Sequence, residues 1–230
     1  MPDIKKSDFY LSFLQPVSVE KTSGLNNEVL EVVLSGGKLI LNSENTNYSF
    51  GSLHALFRKV LRRLDLNWNN IDTALILGFG AGCVAETIWK YNSDCLIDGV
   101  EIDEKVIELG AKYFHQNRHE NLNIHCCDAA RFTEICNKKY SLIIIDVYQD
   151  MIVPDEIETE QFLLNVRNCL KEGAVVIFNK FVNSKASREK IRQIEKMYKD
   201  VFGNVKIITS MMTGKIFVSQ RISKNDILNN

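Results

Sequence analysis

From residue 72 onward, short apolar runs alternate with longer segments whose apolar residues recur at helical spacing. The run at 140–145 is almost wholly apolar, as expected of a strand buried on both faces of a sheet. This alternation predicts an α/β fold with a mostly parallel sheet. The predicted strands are 73–77, 95–100, 122–126, 140–145 and 173–178, and the predicted helices are 83–91, 104–115, 157–170 and 185–199.

The end of the pattern distinguishes between α/β folds. Strands predicted at 205–208 and 215–218 are separated by only six residues. A parallel crossover needs a dozen or more residues, so this pair should be antiparallel. A parallel sheet with an antiparallel last strand is the Rossmann-like architecture of class I methyltransferases, whereas a dinucleotide-binding sheet usually stays parallel.

The first 49 residues differ from this pattern. The runs 30–34 and 39–41 flank a turn that contains Gly36 and Gly37, which predicts a β-hairpin. Segments 9–13 and 17–19 are candidates for further strands. A helix with Phe57 and Leu61 on its apolar face should begin near residue 50. We therefore predict an N-terminal β-hairpin region (1–49), a Rossmann-like domain (50–222) and a flexible tail (223–230).

Composition excludes several classes of function. The formal net charge is −1, so no global basic field favours nucleic acid. No apolar run approaches the length that spans a bilayer, and the first residues lack the apolar stretch of a secretory signal. The six cysteines form no Cys-x-x-Cys pair, which favours reduced thiols and no metal site. We expect a cytoplasmic protein without membrane or nucleic-acid partners.

A glycine-rich loop follows the first predicted strand of the α/β segment. Glycines at 78, 80 and 82 allow a close approach of backbone to ligand, and the following helix would direct its N–H groups towards that ligand. Such a loop alone is a weak signal, because a tight turn without a ligand has the same composition. We assign its five residues to a cofactor site: Gly78, Phe79, Gly80, Ala81 and Gly82.

Three acidic residues follow successive strands, at the sheet edge where open α/β proteins bind ligands. Glu101 is spaced from the loop as a ribose ligand would be, and Asp128 is placed to bind adenine or to cap a helix. Asp146 is placed to hold the ammonium group of the ligand or to orient a substrate amine. A segment from 147 to 155 is a candidate lid. The remaining cofactor-site residues are Glu101, Ile102, Asp128, Ala129 and Asp146, and the candidate catalytic residues are Asp146, Tyr148 and Gln149.

These segments resemble the spermidine synthase family. The resemblance rests on 75–82 (LILGFGAG), 99–108 (GVEIDEKVIE), 127–129 (CDA) and 142–146 (LIIID), and it extends over about 28–220. It implies a Rossmann-like transferase with a small N-terminal β domain, commonly a homodimer. It also implies that Glu101, Asp128 and Asp146 occupy the ribose, adenine and active-site acidic positions.

Departures from the family pattern affect the predicted cofactor. Ala81 stands where the family carries an Asp that helps to hold the amine of decarboxylated S-adenosylmethionine. The active-site Asp-Ser-x-Asp-Pro segment is replaced by Asp146-Val-Tyr-Gln149-Asp150, and a Tyr-His-Glu cluster by 50–52 (FGS). The lost charged partner is worth about 1.5–3 kcal/mol. We therefore expect S-adenosylmethionine as cofactor, with its carboxylate on the bare N–H groups of the loop.

The main hypothesis is a methyltransferase that acts on a small-molecule acceptor. One alternative is a divergent aminopropyltransferase that uses decarboxylated S-adenosylmethionine, with Asp150 in place of the missing acid. A second alternative is a nucleoside-binding protein without catalysis, and a nicotinamide dehydrogenase is a minor one. The sequence does not identify the acceptor.

Overall fold

The larger of two sheets has seven strands and forms the centre of the protein. The computed structural model describes residues 4–25, 29–43, 47–49, 52–114, 119–149, 152–181, 185–210 and 214–221. The strand order in the sheet is β10-β11-β9-β8-β5-β6-β7. Its strands are β5 (Thr73–Leu77), β6 (Leu96–Glu101), β7 (Leu122–Cys126), β8 (Tyr140–Ile145), β9 (Leu170–Lys180), β10 (Lys206–Ser210) and β11 (Gly214–Gln220).

The predicted antiparallel end of the sheet is confirmed. β11 pairs with β10 on one side and with β9 on the other, and both pairings are antiparallel. The pairings of β5, β6, β7, β8 and β9 with one another are parallel. The helices are α1 (Lys6–Leu11), α2 (Ser52–Arg63), α3 (Cys83–Trp89), α4 (Glu104–Tyr113), α5 (Ala129–Ile135), α6 (Glu160–Cys169) and α7 (Lys185–Phe202).

Helix and strand types agree with the sequence patterns, but some boundaries differ. The helix predicted at 157–170 is divided, because Asp155–Glu158 forms a short 3-10 helix and α6 starts afresh after Thr159. The hydroxyl of Thr159 accepts a hydrogen bond from the Phe162 N–H at 3.2 Å, which caps α6. The strand predicted at 173–178 begins at Leu170, directly after α6. Residues 50, 51 and 115 of the predicted helices lie outside the described residues.

Apolar side chains cover both faces of the large sheet. On one face, β8 and β9 pack against α6 and α7 through residues such as Ile143, Phe178 and Tyr198. On the other face, β5 packs against α2 and α3 through residues such as Phe57, Ile76 and Ile88. Because both faces are covered, polar side chains reach a ligand mainly at the ends of the strands.

The N-terminal region forms a separate antiparallel sheet of four strands in the order β1-β2-β3-β4. Its members are β1 (Val17–Thr22), β2 (Leu30–Ser35), β3 (Lys38–Ser43) and β4 (Asn47–Ser49). The predicted hairpin is confirmed, since Ser35 pairs with Lys38 around two glycines of positive φ. The strand predicted at 9–13 is wrong. Residues 6–11 are helical because helical spacing brings the rings of Phe9 and Phe13 together over Gly37.

The N-terminal sheet docks on α4. Glu20 of β1 accepts hydrogen bonds from Lys112 and from the Tyr113 hydroxyl. Beneath these contacts, Leu30 and Leu41 pack with α4 in an apolar cluster.

No helix among the described residues is long and apolar enough to cross a membrane.

A buried carboxylate ties the edge of the large sheet together. Asp98 of β6 is 5% exposed and accepts hydrogen bonds from Asn123, His125, Lys138 and Tyr140. Burial opposes its ionisation, but these donors outweigh burial and lower the pKa of Asp98 to about 2. The ionised carboxylate therefore stabilises the fold.

We predict that Asp98→Asn lowers the free energy of unfolding by about 2 kcal/mol at pH 7, the value of the pKa difference. Because the pKa of Asp98 is lower in the folded than in the unfolded protein, its ionised carboxylate stabilises the fold above about pH 4. This contribution to the free energy of unfolding is lost as the pH falls towards about 2. Urea unfolding of both proteins at several pH values measures this. The exposed Asp94→Asn should change stability by less than about 0.5 kcal/mol. A deficit that is the same at pH 3 and pH 7 would contradict the electrostatic explanation.

Candidate functional site

The glycine loop after β5 is held against the ends of two neighbouring strands. The N–H groups of Gly78 and Phe79 donate to the Val100 carbonyl at 3.0 and 2.9 Å. Gly78 has a φ of +80°, and a Cβ at this position would lie 2.3 Å from the carbonyl oxygen of Asp146. A glycine is therefore required at position 78, because any other residue would be strained at this φ and its Cβ would clash with the segment after β8.

Glu101 lies at the end of β6 and binds the same loop. Its Oε2 accepts the Gly80 N–H at 2.8 Å and its Oε1 accepts the Asp103 N–H at 3.1 Å. The residue is 4% exposed, and burial raises the pKa of Glu101 against the effect of these donors. The loop and the carboxylate therefore meet, as the sequence predicted. The expectation that the loop N–H groups are bare was wrong at Gly80.

Asp103 joins the site to the N-terminal region. Its Oδ1 accepts the Lys105 N–H at 2.9 Å, which caps α4. Its Oδ2 accepts the Leu25 N–H at 2.7 Å. Gly24 passes so close that a Cβ there would lie 2.1 Å from Asp103 Oδ2. One carboxylate thus fixes both a helix start and the segment that follows β1.

An open cavity of about 400 Å³ lies beside this junction. Ile102 is its only lining residue among the predicted site residues, and that side chain is 37% exposed. The cavity is bounded by 23–25 on one side and by the start of α4 on the other. A planar ligand group placed here would contact Ile102 and Cys126 at the ends of β6 and β7.

Asp128 and Ala129 follow β7 at the same edge of the sheet. The Cys127 N–H donates to the Glu101 carbonyl at 3.1 Å, which keeps this turn beside Glu101. Asp128 is exposed, and its Oδ1 accepts the Arg131 N–H at 2.9 Å as the cap of α5. Ala129 is buried in the core. The structure thus shows Asp128 in the capping role. A contact between its second carboxylate oxygen and an adenine stays a prediction.

Ala81 is fully buried, away from solvent. Its methyl group belongs to the apolar cluster that contains Leu30, Val32 and Leu41 of the N-terminal sheet. Its side chain therefore contributes packing between the glycine loop and the N-terminal sheet, and no charge. A ligand amine near the loop must find its acceptor on another residue.

Asp146 stands at the end of β8, in the middle of the sheet. Its N–H donates to the Leu77 carbonyl at 2.8 Å, and its Oδ1 accepts the Asn179 Nδ2–H at 2.9 Å. The residue is 8% exposed, and burial raises the pKa of Asp146 to about 7 although the Asn179 amide lowers it. A carboxyl group that titrates near neutral pH can both accept and release a proton.

Asn179, near the end of β9, was not predicted as a site residue. It is 2% exposed, and its Oδ1 meets no hydrogen-bond donor within the part of the chain that the structure describes. A buried amide oxygen without a donor costs about 1–3 kcal/mol. The available signal was a polar pair, Asn179 and Lys180, that ends an apolar strand just as Asp146 ends β8.

Tyr148 is half-buried between the segment after β8 and the end of β9. Its hydroxyl donates to the Asn179 carbonyl at 2.5 Å and accepts the Phe181 N–H at 3.0 Å. Burial raises the pKa of this phenol well above its usual value, and the charge of Asp146 adds to the effect. A role in orienting an acceptor would require one of these two hydrogen bonds to break.

Part of the predicted lid 147–155 is described. Gln149 is exposed, and its backbone exchanges hydrogen bonds of 2.9 and 3.1 Å with that of Ile152. Asp150, the possible substitute acid, lies outside the described residues. The catalytic role of Gln149 stays a prediction.

A buried ion pair holds the segment after this turn to the sheet. Lys180 of β9 binds Glu158, and their side chains are only 7% and 5% exposed. Glu158 also binds Lys190 of α7 at 3.2 Å. These contacts fasten the 3-10 helix beside Asp146 and Tyr148, and the sequence patterns gave no indication of them.

A family model for the spermine/spermidine synthase domain matches residues 58–222. The chain belongs to the spermine/spermidine synthase family. Among relatives, it is 30% identical over 142 residues to a protein of Bifidobacterium longum named probable polyamine aminopropyl transferase, covering 62% of this chain and 31% of that protein. It is 27% identical over 135 residues to the polyamine aminopropyltransferase of Vibrio vulnificus, covering 57% and 44%. The chain thus spans less than half the length of these relatives.

Solved structures with the same fold come from the same family and from a methyltransferase. Spermidine synthase from Thermotoga maritima superposes with a TM-score of 0.71 at 16% identity, covering 89% of this chain and 72% of that one. Human methyltransferase-like protein 13 in complex with SAH superposes with a TM-score of 0.60 at 19% identity, covering 77% and 85%. At these identities the likeness concerns the fold alone.

We predict that Gly78→Ala destabilises the protein more than Gly173→Ala. Both glycines have a positive φ, +80° and +73°, but a Cβ at 173 would meet nothing within 4 Å. Each substitution should cost about 1–2 kcal/mol in backbone strain. The clash with Asp146 should add about 1–3 kcal/mol at position 78. Denaturant unfolding of the two variants measures the difference, and equal losses would contradict the described contact.

Proposed function

We propose that this protein transfers an aminopropyl group from decarboxylated S-adenosylmethionine to a small-molecule amine. The observation that carries the proposal is Asp146, a buried carboxylate beside the glycine loop whose pKa lies at about 7. Membership of the spermine/spermidine synthase family supports it, as do the names of the relatives. These comparisons favour aminopropyl transfer over the methyl transfer that the sequence analysis placed first.

The proposed reaction requires the acceptor amine to lose a proton before it can attack. Decarboxylated S-adenosylmethionine, when bound, would supply the electrophilic aminopropyl group on its sulfonium. A protonated amine can bind the ionised Asp146 carboxylate and pass it a proton, which leaves a neutral nucleophile and a neutral carboxyl group. The raised pKa of Asp146 makes it a better proton acceptor than an ordinary Asp.

Residues at the carboxyl ends of the strands fit a nucleoside cofactor. Glu101 has carboxylate oxygens that ribose hydroxyls would share with the Gly80 and Asp103 N–H groups. Ile102 offers an exposed apolar surface for a base. The cofactor amine cannot use Ala81, so in this proposal it binds elsewhere in the site.

Ala81 is the observation that favours the second candidate, a methyltransferase that uses S-adenosylmethionine. Without an acid at this position, the ammonium group of either cofactor loses a charged partner, but S-adenosylmethionine keeps a carboxylate that backbone N–H groups can bind. The engagement of the Gly80 N–H by Glu101 weakens this candidate, because that donor was expected to bind the carboxylate. We therefore place methyl transfer second.

Calorimetry with both cofactors, followed by turnover assays, tests the proposal. We expect tighter binding of decarboxylated S-adenosylmethionine than of S-adenosylmethionine. Methylthioadenosine should form when the diamine putrescine is added. Tighter binding of S-adenosylmethionine, with formation of S-adenosylhomocysteine from methyl acceptors, would favour the second candidate. Binding of methylthioadenosine without any turnover would indicate a nucleoside-binding protein without catalysis.

We predict that Asp146→Asn lowers kcat by about 10²–10⁴-fold, the usual contribution of a general base. In the wild type, the base acts only when ionised, so activity should rise with pH through about 7 and then level off. The variant should lose this rise, because an amide does not titrate. Initial rates of methylthioadenosine release from pH 5.5 to 9 measure both effects.

A matched control is Asp72→Asn, at the opposite end of the sheet. Asp72 is exposed and pairs with Lys171 at 2.6 Å. This variant should retain the kcat and the pH profile of the wild type. An Asp146→Asn protein with unchanged kcat would remove Asp146 from the mechanism.

A further inference from the structure

We propose that Asn179 is a binding and positioning residue for the acceptor amine: its Oδ1 accepts an N–H of the amine beside Asp146. This inference rests on the proposed function and adds to it a second acceptor, which favours an amine over a hydroxyl group. The argument starts from one juxtaposition at the carboxyl edge of the sheet. There, the Asn179 amide lies 2.9 Å from the Asp146 carboxylate, and its oxygen has no donor among the described residues.

The orientation of the Asn179 amide is fixed by its neighbour. Its Nδ2 donates to Asp146 Oδ1 at 2.9 Å. Exchanging the amide oxygen and nitrogen would direct one oxygen at another and leave the NH₂ group without its acceptor. With Asp146 ionised, only the observed orientation is favourable. The oxygen is therefore held on the side away from that hydrogen bond.

The neighbouring acceptors beside Asp146 already take part in hydrogen bonds. The Asn179 carbonyl already accepts the Tyr148 hydroxyl at 2.5 Å. The Tyr148 oxygen already accepts the Phe181 N–H at 3.0 Å. The pKa of Tyr148 is raised well above its usual value, so this phenol stays neutral and adds no charge. Of these acceptors, Asn179 Oδ1 is the one that has no donor among the described residues.

The pair suits an amine better than a hydroxyl group. An ammonium group carries three N–H donors, so it can donate to the Asp146 carboxylate and to Asn179 Oδ1 at the same time. A hydroxyl group has one donor and could satisfy only one of them. After proton transfer to Asp146, the neutral amine still has N–H groups to donate to Asn179. The amide oxygen does not titrate, so it holds the nucleophile before and after that step.

Two variants at this position separate the acceptor from the donor. Asn179→Asp and Asn179→Leu both remove the Nδ2 donor to Asp146, but only Asp retains an acceptor oxygen. We expect Asn179→Leu to raise the KM for putrescine at least tenfold at pH 9. Asn179→Asp should keep that KM within about threefold of wild type, because its carboxylate is ionised and attracts the cation.

The pH profile provides a readout that a merely structural role would not change. Asn179 lowers the pKa of Asp146, so its removal should raise that pKa and move the acid limb of kcat to higher pH. The shift should be larger for Asn179→Asp, in which two adjacent carboxyl groups repel. Steady-state rates with saturating decarboxylated S-adenosylmethionine and varied putrescine give KM, kcat and the profile together.

The matched control is Asn123→Leu. Asn123 of β7 donates its Nδ2–H to Asp98 Oδ1 at 2.9 Å, the same kind of bond at the same length on other strands. This variant should keep the putrescine KM and the pH profile of the wild type. A similar rise in KM in Asn123→Leu would mean that the loss of such a bond acts through stability, which would overturn the inference.

The remaining outcomes also decide the question. Equal tenfold increases in KM for the Asp and Leu variants, or none for either, would overturn the role of Oδ1. If the Leu variant does not fold, a tenfold increase for Asn179→Asp at pH 9 overturns it, and a KM within threefold with a shifted acid limb supports it. A wild-type protein that forms no methylthioadenosine refutes the proposed function itself, whereas an active wild type with an unaffected Leu variant refutes only this inference.

Discussion

The carboxylate of Glu101 is buried and pairs with no cation of the described residues, and backbone N–H groups from two segments neutralise part of its charge. Burial of such a group is expensive unless its oxygens are hydrogen bonded. The Gly80 N–H comes from the loop after β5, and the Asp103 N–H comes from the turn after β6. The shape of the candidate site therefore depends on this one side chain, since both segments are positioned by its oxygens.

The hydrogen bonds that shape this site are made between groups of the protein itself. Asp103 extends the network to Leu25, and Gly78 extends it to the backbone of Asp146. The N-terminal sheet, the glycine loop and the segment after β8 are thereby connected through short polar contacts. A ligand that binds Glu101 would share these hydrogen bonds with the protein, so its affinity depends on how well they are retained.

The sequence predicted the sheet well because its strands are apolar on both faces and its connections have characteristic lengths. The six residues between the last two strands were enough to predict an antiparallel pair. The carboxyl ends of strands meet at one edge, so the proximity of Glu101 to the loop could be predicted from topology alone. The helix α1 was not predicted because its aromatic residues are common in strands. Its helical form depends on the packing of Phe9 and Phe13 against the turn at Gly37, which is distant in the sequence.

The partners of each side chain could not be predicted from the chain. The sequence indicates that Asp146 ends a strand, but only the pairing of β8 with β9 brings Asn179 beside it. Likewise, the spacing of Lys180 and Glu158 gives no sign that two charges are buried together. The polar groups of the site come from elements that are adjacent in the sheet and distant along the chain.

The order of strands in the large sheet also has a consequence for biosynthesis. β11 lies between β9 and β10, although it follows both in the chain. While the ribosome is still adding residues before 214, the β9 edge that will receive β11 has no partner, and β10 has no strand to pair with. An unpaired edge of this kind is prone to associate with other strands. The nascent chain can therefore complete its central sheet only after 214–220 have left the exit tunnel, and until then one edge of β9 stays unpaired.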